Sequence, residues 1–273
     1  MLRNCIYLIL LAILLNSSVF AATIYWTDNS ANIIGHSDGT NSETVFSNVP
    51  NVQDVAVDTT AGKIYWVQYS SHQIFSANID GSNSQVIATD NYPIGIALDL
   101  NNGKVYWSSR SQGILRRSNF DGSGMETVVN RGTSFRKIDL DLLNNKIYWS
   151  EESKICRADL DGSNFETLVT GLSLSRDVAV DPIGEKIYWT DHSTGLLQKS
   201  NIDGSGVQTL VSGLAAPAGI ELDIPAGKIY WVERDADVVR RANFDGSNVE
   251  NFITGLTHPI GVTLASTATF EAN

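Results

Sequence analysis

Apolar residues fall in short runs along the chain, and each run is followed by residues that favour turns. Residues 178–211 show the pattern. VAVD is continuously apolar, as expected of a strand buried on both faces, and KIYWTD, LLQKSNI and VQTLV are β-branched, aromatic or alternating. PIGE, HSTG and DGSG separate these runs. The pattern predicts four short antiparallel strands in a unit of about forty residues.

The same unit recurs along the whole chain. The dipeptide Tyr-Trp occurs six times, at spacings of 40, 41, 42, 40 and 42 residues, and it accounts for all six tryptophans. An Asp-Gly pair follows each occurrence, and five units contain an apolar run that ends in Asp. A fixed period of this length indicates a repeat architecture, and four strands per repeat indicate a propeller blade. We therefore predict an all-β fold, a six-bladed β-propeller of four-stranded antiparallel blades.

The two ends of the repeat region predict how the ring closes. ATIYWTD, from residue 22, reads as a second strand with no first strand before it. IGVTLAS, near the carboxyl end, reads as a first strand with nothing after it. Joining three N-terminal strands with this C-terminal strand completes the sixth blade and removes exposed sheet edges. We assign residues 22–273 to this single domain.

Residues 1–21 lack the repeated motifs and have the three-part pattern of a signal peptide. One Arg precedes the apolar run CIYLILLAILL, and the segment ends in small residues. The run is shorter than the ~20 residues of a membrane span, and a short membrane anchor is the alternative. We therefore expect a secreted protein, extracellular or periplasmic, without a membrane span in the mature chain. Cleavage would leave Cys156 as the one cysteine, and we expect its thiol to be partly exposed and inert.

The repeated motifs resemble those of a known family. IYWTD, DGS and the GIALD or VAVD strand are similar to the YWTD (class B) repeats of the low-density lipoprotein receptor family, over the whole of residues 22–273. The resemblance implies a six-bladed propeller whose face near the channel mouth receives extended segments of protein ligands. The chain departs from the family at the last motif position, which reads Asp28, Gln68, Ser109, Glu151, Asp191 and Glu233.

We interpret the Tyr-Trp motif as structural. Its rings would fill the wedge between neighbouring blades, and a carboxylate at its end could accept hydrogen bonds from the next blade. A catalytic group would not be needed six times, nor would it tolerate Ser or Gln. The structural residues are Tyr25, Trp26, Asp28, Tyr65, Trp66, Tyr106, Trp107, Tyr148, Trp149, Tyr188, Trp189, Asp191, Tyr230 and Trp231.

Five aspartates end the predicted inner strands. Each is expected to cap the turn to the next strand, and the alternative is a ring of carboxylates that binds a metal through oxygen. The five are Asp58, Asp99, Asp141, Asp181 and Asp223.

Function should lie where the repeats differ. The loops between second and third strands (NSAN, YSSH, RSQG, ESK, HSTG and RDAD) and the blade-to-blade connections share one side of the ring, which we call the loop face. Arg and Tyr beside acidic residues are typical of protein-binding surfaces. The predicted ligand-binding residues are Tyr69, His72, Arg110, Glu152, His192, Arg234, Asp235, Arg136, Arg176 and Asp177, with Gln53, Asp54, Tyr92, Lys137 and His258 nearby.

Two functions from different classes fit the sequence. The first is an exported, non-enzymatic module that binds an extracellular or periplasmic protein or peptide. The second is an exported propeller enzyme, a metal-dependent lactonase or a lyase, with a site on the central channel and candidates His72, His192, His258, Asp54 and Asp177. The first is favoured because no metal-ligand spacing connects these residues. The net charge of -11 argues against nucleic acid, since phosphate binding needs a basic surface. We expect a monomer that uses no cofactor or metal.

Overall fold

Six sheets of four antiparallel strands form a closed ring in the computed structural model, which describes residues 22–265. In every sheet the strand order runs from the centre of the ring outwards, and each innermost strand contacts the innermost strands of both neighbouring sheets. The described residues form 24 strands and no helix. The predicted all-β, six-bladed propeller is therefore confirmed. Residues 1–21, with the predicted signal peptide, lie outside the described part.

The strands occupy equivalent positions in the six blades. The innermost strands are β4 (Val52–Asp58), β8 (Pro93–Asp99), β12 (Phe135–Asp141), β16 (Ser175–Asp181), β20 (Pro217–Asp223) and β24 (Pro259–Leu264). The second strands are β1 (Ile24–Asp28), β5 (Lys63–Gln68), β9 (Lys104–Ser109), β13 (Lys146–Glu151), β17 (Lys186–Asp191) and β21 (Lys228–Glu233). The third strands are β2 (Ile33–Ser37), β6 (Gln73–Asn78), β10 (Ile114–Asn119), β14 (Lys154–Asp159), β18 (Leu196–Asn201) and β22 (Val238–Asn243). The outermost strands are β3 (Ser42–Ser47), β7 (Gln85–Thr89), β11 (Glu126–Asn130), β15 (Glu166–Thr170), β19 (Gln208–Ser212) and β23 (Glu250–Ile253).

We number the blades from 1 to 6 by their second strands, so that blade 1 contains β24, β1, β2 and β3. This blade closes the ring, because β24 pairs antiparallel with β1. The Asp28 carboxylate accepts hydrogen bonds from the backbone N–H groups of Thr257 at 2.7 Å and His258 at 3.2 Å. Thr27 Oγ1 accepts another from Gly261 N at 2.8 Å. The predicted closure by N-terminal and C-terminal strands is confirmed.

The Tyr-Trp pairs pack between blades, as predicted. Each of the six apolar clusters combines the Tyr of one blade with the Trp of the next, so both rings of a pair are buried on opposite faces of their sheet. The pairs are Tyr25 with Trp66, Tyr65 with Trp107, Tyr106 with Trp149, Tyr148 with Trp189, Tyr188 with Trp231, and Tyr230 with Trp26.

The carboxylate that ends the motif has a different partner from the one predicted. Asp28 and Asp191 accept hydrogen bonds from the connection that leads into their own blade, not from the next blade; Asp191 does so from Ser173 N at 2.8 Å. The expectation was wrong because the hydroxyl one position earlier makes the contact to the next blade. Thr190 Oγ1, for example, donates to the carbonyl of Ala218 at 2.5 Å.

The face opposite the loop face consists of tight turns. Every Asp-Gly hairpin has its Gly at positive φ, between 83° and 88°. The aspartates that end β4, β8, β12, β16 and β20 accept hydrogen bonds from backbone N–H groups of the following turn, as Asp58 does from Ala61 N at 2.9 Å. These contacts confirm turn capping. These hydrogen bonds are made within the turns of this face. The residues that vary between blades are concentrated on the loop face.

Cys156 is fully buried, so the expected partial exposure is wrong. It lies opposite Trp149 in the pairing of β14 with β13. The polar residues at equivalent positions were misleading, because Arg116 and Arg240 form ion pairs with buried carboxylates there. Burial, followed by the charge of Glu151, raises the pKa of the Cys156 thiol to about 12. The thiol is therefore protonated at neutral pH.

Candidate functional site

An opening on the loop face is lined by one residue at an equivalent position of each innermost strand and by Lys137 below them. A β-bulge interrupts the pairing of all six innermost strands near their first residues. A bulge leaves one residue unpaired and changes the direction of its side chain. We call the six residues at this position the mouth ring: Gln53, Ile94, Arg136, Arg176, Ala218 and Ile260.

Half of the mouth ring was missed by sequence reasoning. Gln53, Arg136 and Arg176 were noticed because they are polar, whereas Ile94 and Ile260 were not. A signal was present, since three innermost strands begin Pro-x-Gly and the middle residue is the one that lines the mouth.

The repeated motif fixes the backbone of the mouth ring. Ser150 Oγ donates to the carbonyl of Arg176 at 3.1 Å, and Ser108 Oγ donates in the same way to the carbonyl of Arg136. Each serine follows the Tyr-Trp pair of the preceding blade. The structural repeat therefore positions both guanidinium-bearing residues from outside the site.

The channel directly below the mouth is filled by three charged side chains. Lys137 Nζ lies 2.8 Å from Asp54 Oδ1 and 3.4 Å from Asp177 Oδ2, and all three residues are buried. We call Lys137, Asp54 and Asp177 the channel triad. Glycines occupy the equivalent position in the other three blades, and a β-carbon at Gly261 would lie 2.9 Å from Asp54 Oδ1. Their lack of a side chain leaves room for the triad.

Hydrogen bonds from the channel triad reach the remaining blades. Asp54 Oδ2 accepts from Ile96 N of blade 3 at 3.1 Å, and Asp177 Oδ2 accepts from Ile220 N of blade 6 at 3.0 Å. Lys137 Nζ lies 3.5 Å from the carbonyl of Ile260 in blade 1. The triad therefore links all six blades at the axis. The space left among the mouth residues is about 10 Å³, room for about one water molecule.

Asp177 does not lie where the sequence placed it. It was predicted as a ligand-binding residue, but it is 4 % exposed and belongs to the channel triad. The reason is the bulge in β16, which puts Arg176 into the mouth ring and the next residue below it. Asp54, a candidate of the enzyme hypothesis, lies below the mouth for the same reason, because the bulge at Gln53 puts Gln53 into the mouth ring and Asp54 beneath it.

Four arginines influence one another at the mouth. Burial, followed by the charges of Arg136, Arg234 and Arg110, lowers the pKa of Arg176 to about 9. Burial, followed by Arg110, lowers the pKa of Arg136. Both stay protonated at neutral pH. All four come from the predicted site, which the structure thus brings together on blades 3 to 6.

Several guanidinium N–H groups at the mouth lack an acceptor. Arg136 is 3 % exposed, and its Nη2 donates to Glu152 Oε1 at 3.0 Å. Nε and Nη1 of Arg136, and Nε of Arg176, are buried without a hydrogen-bond partner among the described residues. Buried donors of a charged group are costly when they are unpaired, which marks this part of the ring as a place for an acceptor.

An aromatic group lies beside the arginines. Tyr92, 39 % exposed, packs against Tyr69 with ring centroids 4.9 Å apart and against His72 at 4.4 Å. Its backbone N–H donates to His72 Nδ1 at 3.1 Å. Tyr69 lies close enough to Arg136 to interact with it electrostatically, so this group and the arginines share one surface.

The other two candidate histidines, His192 and His258, lie on the opposite side of the mouth. His192 Nδ1 is 3.3 Å from the carbonyl of Pro217, and burial together with Arg176 and Arg234 lowers its pKa. His258 Nε2 accepts from Arg234 Nε at 3.0 Å, and burial followed by Arg234 lowers its pKa as well. Both imidazoles are therefore neutral at pH 7. Asp235 is exposed next to Arg234.

The three histidines of the enzyme hypothesis do not converge, and its two aspartates are both paired with Lys137. His72 contacts Tyr92, His192 faces Pro217 and His258 contacts Arg234. Within residues 22–265, no group of three or more His, Cys, Asp or Glu side chains is arranged to bind a metal ion. In the same part of the chain, no helix has the length and apolarity required to span a bilayer.

Residues 185–224 match the family described as low-density lipoprotein receptor repeat class B. The matched segment runs from the motif strand β17 to the innermost strand of the next blade. This segment is a YWTD (class B) repeat, and the chain that contains it folds as a six-bladed β-propeller. The resemblance noted in the sequence is thereby confirmed. No match was found among curated protein sequences.

Solved structures with the same fold span several functions. A chain in the crystal structure of a nidogen/laminin complex is 19 % identical, with a TM-score of 0.82 over 91 % of this chain and 99 % of that one. TolB from Acinetobacter baumannii is 13 % identical, with a TM-score of 0.74 over 90 % and 67 %. Streptogramin B lyase is 16 % identical, with a TM-score of 0.67 over 88 % and 83 %. At these identities the likeness shows the fold alone.

Proposed function

We propose that this YWTD propeller is an exported, non-enzymatic binding module whose loop face receives an extended segment of an extracellular or periplasmic protein or peptide. The observation that carries the proposal is the form of the mouth. Charged and aromatic side chains surround it, while the channel triad fills the axis directly below. A ligand would therefore lie across the ring rather than enter it.

The composition of this surface supports the proposal. Tyr and Arg are enriched at protein interfaces because they combine large contact area with directed hydrogen bonds. The nidogen structure supports it by analogy, since a similar propeller occurs there in a complex with laminin. The residues proposed to contact the ligand are Tyr69, His72, Arg110, Arg136, Glu152, Arg176, His192, Arg234 and Asp235.

Export is supported by the signal-peptide pattern of residues 1–21 and by the extracellular type of the repeat family. The enzyme alternative has a structural neighbour in streptogramin B lyase. It would require a substrate cavity at the channel, and small-molecule sites are about 300–1,000 Å³ in volume. The space at this mouth is about 10 Å³, which favours binding over turnover.

Affinity capture from the native extracellular fraction, followed by reconstitution with each purified partner, tests the proposal. One variant would replace Tyr69, Arg110, His192 and Arg234 with Ala. A matched variant would replace four exposed residues on the hairpin face, Asp80, Asp121, Asp203 and Asp245, with Asn. We expect a partner that binds the wild type and the hairpin-face variant but not the loop-face variant. A partner indifferent to the loop face would contradict the proposal.

A further inference from the structure

The mouth ring is divided by charge. Arg136 and Arg176 come from adjacent blades, whereas Ile94, Ala218 and Ile260 are apolar. The two arginines are at equivalent positions, and each backbone carbonyl accepts a hydrogen bond from a serine of the preceding blade. Their placement is thus determined by the rigid sheets and not by the loops. Binding groups placed in this way need little reorganisation when a ligand arrives.

The unpaired N–H groups of these arginines point to an anionic ligand group. Arg136 is only 3 % exposed, yet its Nε and Nη1 have no acceptor among residues 22–265. Nε of Arg176 has none among these residues either. Arg136 forms an ion pair with Glu152, whose side chain is 56 % exposed. A guanidinium has five N–H donors, so the donors that remain can donate hydrogen bonds to an additional oxyanion.

Repulsion among the arginines points to the same conclusion. The chain has a net charge of -11, but the charges of Arg110, Arg136 and Arg234 all act against the protonated form of Arg176. Clustering like charges in a partly desolvated site destabilises the unliganded protein. An anion would relieve the repulsion and satisfy the buried donors together. The repulsion that destabilises the free protein would therefore be reduced in the complex.

We infer that Arg136 and Arg176 bind a side-chain carboxylate, Asp or Glu, of the ligand segment. This inference rests on the proposed function and specifies the chemistry of that same site. A carboxylate fits because the planar guanidinium fork matches its two oxygens. The space of about 10 Å³ holds about one water molecule, so a carboxylate oxygen would replace that water while the rest of the segment lies outside, across the aromatic group of Tyr69, His72 and Tyr92.

Selection of a random-peptide phage library on the immobilised protein tests the inference. Selected peptides would be synthesised with a fluorescent label, and binding would be measured by fluorescence anisotropy. Each acidic residue would then be replaced by its amide, Asp by Asn or Glu by Gln, which keeps the shape and removes the charge. This replacement leaves the protein unchanged, so the result does not depend on the folding of a variant.

Protein variants locate the effect. Arg136→Gln and Arg176→Gln remove the two proposed contacts one at a time. Arg241→Gln is the matched control, because Arg241 pairs with Glu250 at 2.6 Å on an outer hairpin. We expect one acidic position per peptide whose amide binds about tenfold to a hundredfold more weakly, the loss typical of charge-assisted hydrogen bonds. The same loss is expected in both mouth variants and not in the control.

Two results would contradict parts of this account separately. Peptides that lose binding with Tyr69→Ala but tolerate every amide replacement would overturn the carboxylate inference and leave the proposed function intact. Peptides whose binding depends on no residue of the loop face would contradict both.

Discussion

The channel triad should dominate the stability of the ring at neutral and alkaline pH, and Lys137→Met tests this directly. Methionine retains the length of the side chain but removes the charge that lies 2.8 Å from Asp54 and 3.4 Å from Asp177. The two carboxylates would then face each other in a buried channel with only backbone N–H partners. Breaking a buried ion pair in this way costs about 3–5 kcal/mol.

The pH dependence follows from the protons that the buried carboxyls must bind. Even with Lys137 present, burial raises the pKa of Asp177 to about 7 from its usual 3.8. Without the lysine the pKa values of both carboxyls rise further. Keeping one carboxyl of usual pKa 3.8 neutral costs at most about 5.7 kcal/mol at pH 8 but about 1.6 kcal/mol at pH 5. A raised pKa in the folded state gives stability at low pH that is lost as the pH rises.

Urea unfolding followed by tryptophan fluorescence measures the effect, since all six indoles lie between blades. We expect Lys137→Met to lose about 3–5 kcal/mol at pH 8 and no more than half of that at pH 5. The control combines it with Asp54→Asn and Asp177→Asn, which keep an acceptor for each backbone N–H. This neutral triple variant should regain most of the stability at pH 8. An equal loss at both pH values, or no loss, would refute the reasoning.

Three further predictions concern the ring. Asp28→Ala, which removes the hydrogen bonds to the last connection, should lower the free energy of unfolding in urea by about 2–4 kcal/mol. Hydrogen bonds lower the pKa of the Asp28 carboxyl from its usual 3.8 despite burial, so this contribution should be lost progressively as the pH falls below about 4. Asp191→Ala should leave the closure between the chain ends intact by hydrogen exchange. Gly122→Ala should lower the free energy of unfolding by more than about 3 kcal/mol, because φ is 87° and a β-carbon would overlap a carbonyl of the preceding blade. Its control is Gly103→Ala, at φ 63° in open space, which should lower the free energy of unfolding by about 1 kcal/mol. Cys156 should react with iodoacetamide only in urea, because it is fully buried; stoichiometric labelling of the native protein would contradict the burial.

The fold was predictable because six copies of one pattern report on it independently. A single Tyr-Trp pair would have been weak evidence, but six pairs in phase with six Asp-Gly turns determine the strand count, the blade and the closure. Tyr and Trp alternate between the two faces of their strand, so their role between blades also follows from the sequence.

The site was predicted less completely, for two physical reasons. A bulge shifts the register by one residue, so the sequence could not show that Arg176 lines the mouth while Asp177 lies buried below it. The channel triad is the second reason. Lys137 and Asp54 are 83 positions apart, and only closure of the ring brings them together, so no local pattern announces their contact. Apolar mouth residues such as Ile94 were not predicted, because an apolar side chain in a connection carries no chemical signal.

Hydrogen exchange in the complex with a captured partner tests the central claim most directly. The account predicts slower amide exchange in the loops that contain Tyr69, Arg110, His192 and Arg234 and in the first residues of β12 and β16. It predicts no change at the Asp-Gly hairpins. The same pattern should be absent with Arg136→Gln if the arginines bind the ligand. Protection of the hairpins, or of an outermost strand edge, with unchanged exchange around the mouth would contradict the account.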